Sequence, residues 1–145
     1  MSKTKENRLW QWLREARKLY REDLILERIE NSLMGGMADV NGSLQGRDFW
    51  LELKTAAWPS TPGGKVQVKF QPNQPRWLGR RSKIGRNAFV LLQVGSGHKA
   101  CRYLLDGIYA AKIEKGLTEG ELERLALLDP RSKAADIIQA ARSSY

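Results

Sequence analysis

Residues 49–55, FWLELKT, carry the strongest fold signal in the chain. The run is apolar and aromatic at one end and of strand length, which is strand composition. On a strand, alternate side chains share a face. Glu52 and Lys54 therefore project together, while Leu51 and Leu53 point the other way into a core. A strand in a small sheet gives two same-face positions to charge only where that face is wet or the charges are paired. Upstream, Met37–Val40 is a short run around Asp39, closed by Asn41-Gly42, a hairpin-type turn signal. A hairpin would bring Asp39 beside Glu52. With Glu30 further upstream, three acids and a lysine gather around the first strands.

Carboxylates close to one point repel each other and raise each other's pKa. A divalent cation relieves that repulsion. Magnesium takes oxygen ligands, binds through one or two carboxylates and keeps water or phosphate oxygens in its other positions. A nearby ammonium then orients or helps deprotonate an attacking water, or offsets charge on the phosphate. The chemistry implied is metal-assisted hydrolysis of a phosphodiester. The alternative is a surface cross-strand ion pair of Glu52 with Lys54, and on spacing alone it is the more economical reading.

Further outward, Leu9, Leu13, Ala16 and Tyr20 recur at helical spacing and predict a helix over residues 5–20, with Trp10 and Trp12 flanking the stripe. Leu24–Ile29 reads either as a second helix or as an extended segment. Asn31-Ser32 and Gly35-Gly36 break regular structure. Pro59, Pro62, Gly63 and Gly64 mark a loop, and residues 66–70 alternate as a strand or as the extended entry to a helix. Pro75 is tolerated in a first turn, so a helix is expected from about Asn73 to Ile84, ended by Gly85. Residues 88–94, AFVLLQV, suit a buried central strand, followed by a turn at Ser96-Gly97 and a strand over 100–105. Thr118 with Glu121 fits a capping box, and Asp129-Pro130 separates that helix from a last one near 132–142. The order predicts one α/β or α+β domain over residues 1–145 with a small mixed sheet.

The 145 residues hold 25 Lys+Arg against 16 Asp+Glu, a net charge of +9, which makes phosphate a natural partner. The surplus is uneven. Lys65, Lys69, Arg76, Arg80, Arg81, Lys83 and Arg86 fall between residues 65 and 87 without one acid, and are the expected nucleic-acid-binding set. The N-terminal segment is basic as well, whereas residues 114–129 are acidic. Phe70 and Trp77 could stack on bases, but Trp77 fits better as a packing residue with Leu78 and Ile84. Trp58, beside Pro59, is the tryptophan suited to substrate or dimer contact. A single cysteine, Cys101, excludes an intrachain disulfide and thiolate zinc sites, and a sole histidine, His98, excludes sites that need several imidazoles. Cys101 reads as a small core residue and His98 as a solvated turn residue. No apolar run reaches the ~18–20 residues of a membrane span, and MSKTKENRLW leads into no signal-peptide apolar region. The expectation is no membrane and a cytoplasmic location.

The run ERIENSLMGGMADVNG followed by FWLELKTA resembles the PD-(D/E)XK nuclease superfamily, and more narrowly its small phage-borne VRR-NUC members. The Arg-Ile-Glu-Asn segment, the Gly-x-x-Asp-Val run, Glu-Leu-Lys and the downstream QPNQPRWL carry the likeness, which covers about residues 9–107. It implies a restriction-endonuclease-like αβββαβ core; the helical extension over about 108–145 lies outside the likeness. It also implies that Asp39 and Glu52 ligate Mg²⁺ or Mn²⁺, with the Leu53 carbonyl as a further ligand. Lys54 would position or activate the water, and Glu30 would ligate through water or support the site. Gln74 would contact the site or the scissile phosphate, with Gln71 as its substitute. Ala38 stands where a proline usually precedes the aspartate. Resemblance to Holliday-junction resolvases implies a homodimer and cleavage of branched DNA, such as a Holliday junction or a flap. Two alternatives stay open: a non-catalytic DNA-binding module on the same fold, and an RNA-associated basic protein.

Overall fold

A computed structural model describes residues 2–29 and 36–143; Glu30, Asn31-Ser32 and Gly35 lie outside the described residues. Helix α1 (Ser2–Leu13) continues through a 3₁₀ turn into α2 (Arg17–Tyr20). Leu9, Leu13 and Ala16, spaced three to four apart, are fully buried, as the helical stripe requires. The ambiguous segment after it is a strand, β1 (Leu24–Arg28), with Leu24 and Leu26 buried and Ile25 and Glu27 exposed. The period of two decides against the helical alternative.

Strands β2 (Val40–Leu44) and β3 (Arg47–Ala56) form an antiparallel hairpin. Its turn is not at Asn41-Gly42, which lies inside β2. It is at Gln45-Gly46, where φ is 52° and 81°. Positive φ at both central residues is what a tight hairpin needs. Gly42 serves packing instead: it pairs with Phe49, and a Cβ there would run into the Phe49 ring. The expected run over 37–40 likewise contributes only Val40 to a strand.

Beyond β3, Lys65–Val66 (β4) is the only strand in the 65–70 segment. The rest is extended, with Val66, Val68 and Phe70 buried and the residues between them exposed. Helix α3 (Gln74–Gly85) then leads to β5 (Ala88–Val94), which runs parallel to β3. A helical crossover is the ordinary way to join parallel neighbours. Strand β6 (Cys101–Asp106) returns antiparallel, giving the order β1-β2-β3-β5-β6. Helix α4 (Ala110–Lys115), β7 (Leu117–Thr118, paired with β4), α5 (Glu119–Leu125) and α6 (Ala134–Ser143) complete the chain. The capping box that opens α5 is present, Thr118 with Glu121.

The sheet carries a core on each face. On one, Leu9, Leu13, Ile137, Ile138 and Ala141 cover Leu51, Leu53, Phe89, Leu91 and Leu104. On the other, Phe70, Leu78, Ile113 and Leu122 cover Val90, Leu92, Tyr103 and Leu105. Fully burying an aliphatic side chain of this size is worth roughly 1.5–3 kcal/mol. The helical segment after Gly107 is therefore a cap on both faces of the sheet. It also closes the β6 edge: the N–H of Leu127 donates to Leu104 O (3.0 Å) and that of Arg102 to Pro130 O (2.8 Å).

Candidate active site

Alternation along β3 sends Leu51 and Leu53 into the first core and turns Glu52 and Lys54 to the opposite face. Neither charge is wet: Glu52 is 3% and Lys54 7% exposed. They are paired, with Lys54 Nζ 3.3 Å from Glu52 Oε2. The surface ion-pair alternative therefore fails on burial. Phe70 packs beneath the ammonium, 4.8 Å from its ring centroid, so this ring is not available to stack on bases. A cation over an aromatic face in a desolvated setting gains on the order of 2 kcal/mol.

The hairpin brings Asp39 to this pair. The Asp39 N–H donates to Glu52 Oε1 (3.2 Å), and Asp39 Oδ1 accepts from the Leu53 N–H (3.0 Å). Gln74, the first residue of α3, closes the cluster from the other side. Its Nε2 donates to Glu52 Oε2 (2.8 Å), while its Oε1 accepts from Lys54 Nζ (3.2 Å) and from the Gln71 N–H (2.9 Å). Gln71 contributes a backbone donor that orients Gln74; its own side chain is exposed. Gly36 holds the approach to Asp39 against α3. It has φ +95°, and a Cβ there would sit 2.8 Å from Asn73 O.

Burial pushes the Asp39 carboxyl up to about 8, and the Glu52 charge adds to the rise; the Leu53 N–H and Arg28 oppose it. Burial also raises Glu52, against the pull of Lys54, Gln74 and the Asp39 N–H. Sequence reasoning missed one acid of this neighbourhood. Glu6, half-buried on α1, has its carboxyl raised by burial, feels the charges of Lys54 and Arg28, and adds to the field on Asp39. Its only sequence signal was an acid on the polar side of a basic helix. Arg28 is tethered by its Nη1 to Asn7 Oδ1 (2.6 Å).

The set carries more buried negative charge than Lys54 balances, so it favours a proton or a hard cation. Asp39 Oδ2 accepts no hydrogen bond from the described residues. Among the described residues no three Asp, Glu, His or Cys converge as a ligand cage. A carboxylate pair suits Mg²⁺ or Mn²⁺, which fill their remaining positions with water and substrate oxygen. The donor set therefore fits such an ion.

All seven basic residues between 65 and 87 are exposed. Arg76, Arg80, Arg81 and Lys83 lie on α3 and Arg86 caps its end. Arg81 stacks on Trp50 and Trp77, 5.8 and 4.9 Å from their centroids. Trp77 packs edge-to-face on Trp50 at 5.4 Å, not with Ile84, which is 73% exposed. Lys65 stands apart on β4, where its charge acts on Glu121. His98 is exposed in a 3₁₀ turn, and Cys101 is buried at the start of β6.

No family model matches the chain, and no curated protein matches it significantly in sequence. Among the described residues no helix is long and apolar enough to cross a membrane.

Proposed function

We propose that the chain is a Mg²⁺- or Mn²⁺-dependent nuclease of the PD-(D/E)XK type that hydrolyses DNA phosphodiester bonds, with branched DNA as substrate and a homodimer as the working unit. One observation carries this reading: Asp39, just before β2, meets Glu52 and Lys54 of β3 and Gln74 of α3 in one hydrogen-bonded cluster, the last three of them buried. Two carboxylates whose burial raises their pKa, held beside a buried ammonium, make a poor stabilising device, because desolvation offsets much of the attraction. Perturbed acids of this kind are the usual signature of a functional site.

Asp39 and Glu52 would hold the ion, with Leu53 O and Glu30 as the further ligands that the resemblance implies. Once bound, the ion would supply charge for the phosphoryl oxygens and a more acidic water. Lys54 Nζ then orients the attacking water and offsets charge on the phosphate, and Gln74 keeps Glu52 and Lys54 in register. The exposed cations of α3 hold backbone phosphates, so selectivity comes from DNA shape more than from base edges.

The test is cleavage of a four-way junction, a flap and plain duplex with Mg²⁺ or Mn²⁺, by the wild-type chain and by Asp39→Asn, Glu52→Gln and Lys54→Met. Cleavage that needs metal and is lost in all three variants supports the reading. Undiminished cleavage in the variants rejects the site. Salt-sensitive DNA binding without metal uptake or cleavage replaces it with a binding module.

A further inference from the structure

A second group of side chains stands beside the acidic cluster, on the same face of β3. Trp50 lies two residues before Glu52, so the two share a face, and Trp50 and Trp77 both flank the core that packs there. Gln74, inside the cluster, precedes Trp77 by about one turn of α3. Trp77, Arg80, Arg81 and Ile84 recur at spacings of three and four and make one stripe of that helix. With Gly85 they line a cavity of about 370 Å³.

The stripe is built as a stack and left uncovered. Trp50 and Trp77 meet edge-to-face, and the Arg81 guanidinium lies 4.9 Å from the Trp77 centroid and 5.8 Å from that of Trp50. Both indoles stay half-buried, Arg80 and Arg81 are exposed, and Ile84 is 73% exposed. Neither arginine has an ion pair or a hydrogen bond among the described residues. The sheet is open alongside. Asn41 and Ser43 of β2, opposite Trp50 and Asp48, are half-buried, and Ile25 of β1, opposite Ser43, is 54% exposed. Glu27 and Asp48, exposed on that open floor, repel phosphates, whereas the cations of α3 attract them. A strand lying here therefore turns its phosphates to α3 and its bases to the stack.

We infer that Trp50, Trp77, Arg81 and Ile84 form a platform for an unpaired base of a DNA strand, next to the acidic cluster. A guanidinium held flat against two indoles from different elements offers a stacking surface that any base can use, and Ile84 adds an apolar edge. Bases inside a duplex stack on one another and do not reach such a surface. The inference rests on the nuclease reading and adds to it a preference for unpaired nucleotides beside the bond to be cut, as at a flap.

The test is binding by fluorescence anisotropy in EDTA, where no metal-dependent cleavage occurs. The ligands are a short thymidine strand, an abasic strand with the same number of phosphates, and a blunt duplex. The thymidine strand should bind about tenfold tighter than the abasic one, the scale of one base stacked on an aromatic side chain. Trp50→Leu and Trp77→Leu should erase that preference, and Trp77→Phe should keep most of it. Arg81→Lys retains the charge at an exposed position but removes the flat surface, so it should narrow the gap even where a tryptophan variant fails to fold, as read by circular dichroism. Equal affinity for thymidine and abasic strands overturns the inference. So does an equal loss for all three ligands in the variants, which would mean phosphate contact only. Metal-dependent cleavage is scored separately. Cleavage without base preference rejects only the platform, and base preference without cleavage rejects only the nuclease.

Discussion

The backbone N–H of Asp39 donates to the side chain of Glu52 while the two residues' carboxyl groups share one buried site. The hydrogen bond fixes the acids close together, and their burial makes that closeness costly unless a proton or cation intervenes. Asp39→Asn and Glu52→Gln should therefore abolish Mn²⁺ uptake in calorimetry and lower any metal-dependent cleavage by at least about a hundredfold, more than the loss of a residue that only supports a ligand. Folding should survive both changes, read by circular dichroism.

The same relationship sets a pH dependence for the metal-free protein. An acid whose folded pKa is raised binds more protons folded than unfolded, so stability falls as pH rises between the two values. For Asp39 that window runs from the ordinary carboxyl range near 4 up to about 8. Urea midpoints of wild type and Asp39→Asn should agree below the window. They should diverge through it in favour of the variant, by at most ~1.4 kcal/mol per pH unit, and stay parallel above it. Excess Mg²⁺ or Mn²⁺ should close the gap.

Among the described residues, Gln74 is the only neutral side chain that bonds both Glu52 and Lys54. Gln74→Ala leaves buried Glu52 and Lys54 short of a partner and should cost about 1–3 kcal/mol of stability by denaturation. It should also reduce cleavage more than metal affinity, since it does not ligate the ion.

Gly42 tests the hairpin. Gly42→Ala drives a methyl into the fully buried Phe49 ring and should cost about 1–3 kcal/mol, visible as a lowered thermal midpoint. Gly46→Ala meets no neighbour but is strained by its φ of 81°, so its effect should be smaller.

The exposed cations of α3 should act through phosphates. Arg76→Gln, Arg80→Gln and Lys83→Gln should each reduce the slope of log binding constant against log salt by about 1. Lys65→Gln should change it less, because Glu121 already shares that charge.

Much of the scaffold is legible in the sequence. The period of two in FWLELKT separated Glu52 and Lys54 from Leu51 and Leu53, AFVLLQV marked a central strand, and Thr118 with Glu121 marked a helix start. These signals are local: a backbone conformation and a stripe of burial are written in neighbouring residues. Asn41-Gly42 has turn composition, yet the packing of Phe49 on Gly42 holds those residues inside a strand and the turn falls at Gln45-Gly46.

The sequence by itself determined which residue types were available, the alternation that puts an acid and a lysine on one strand face, and the carboxylate-free run of cations. Only the tertiary structure decided that this face is buried, that Gln74 lies between Glu52 and Lys54, that Phe70 packs beneath the ammonium, and that Glu6 stands near the same site. Those facts depend on strand register and helix placement between segments distant in sequence. Such placement minimises exposed apolar area over the whole chain, so no local window contains it.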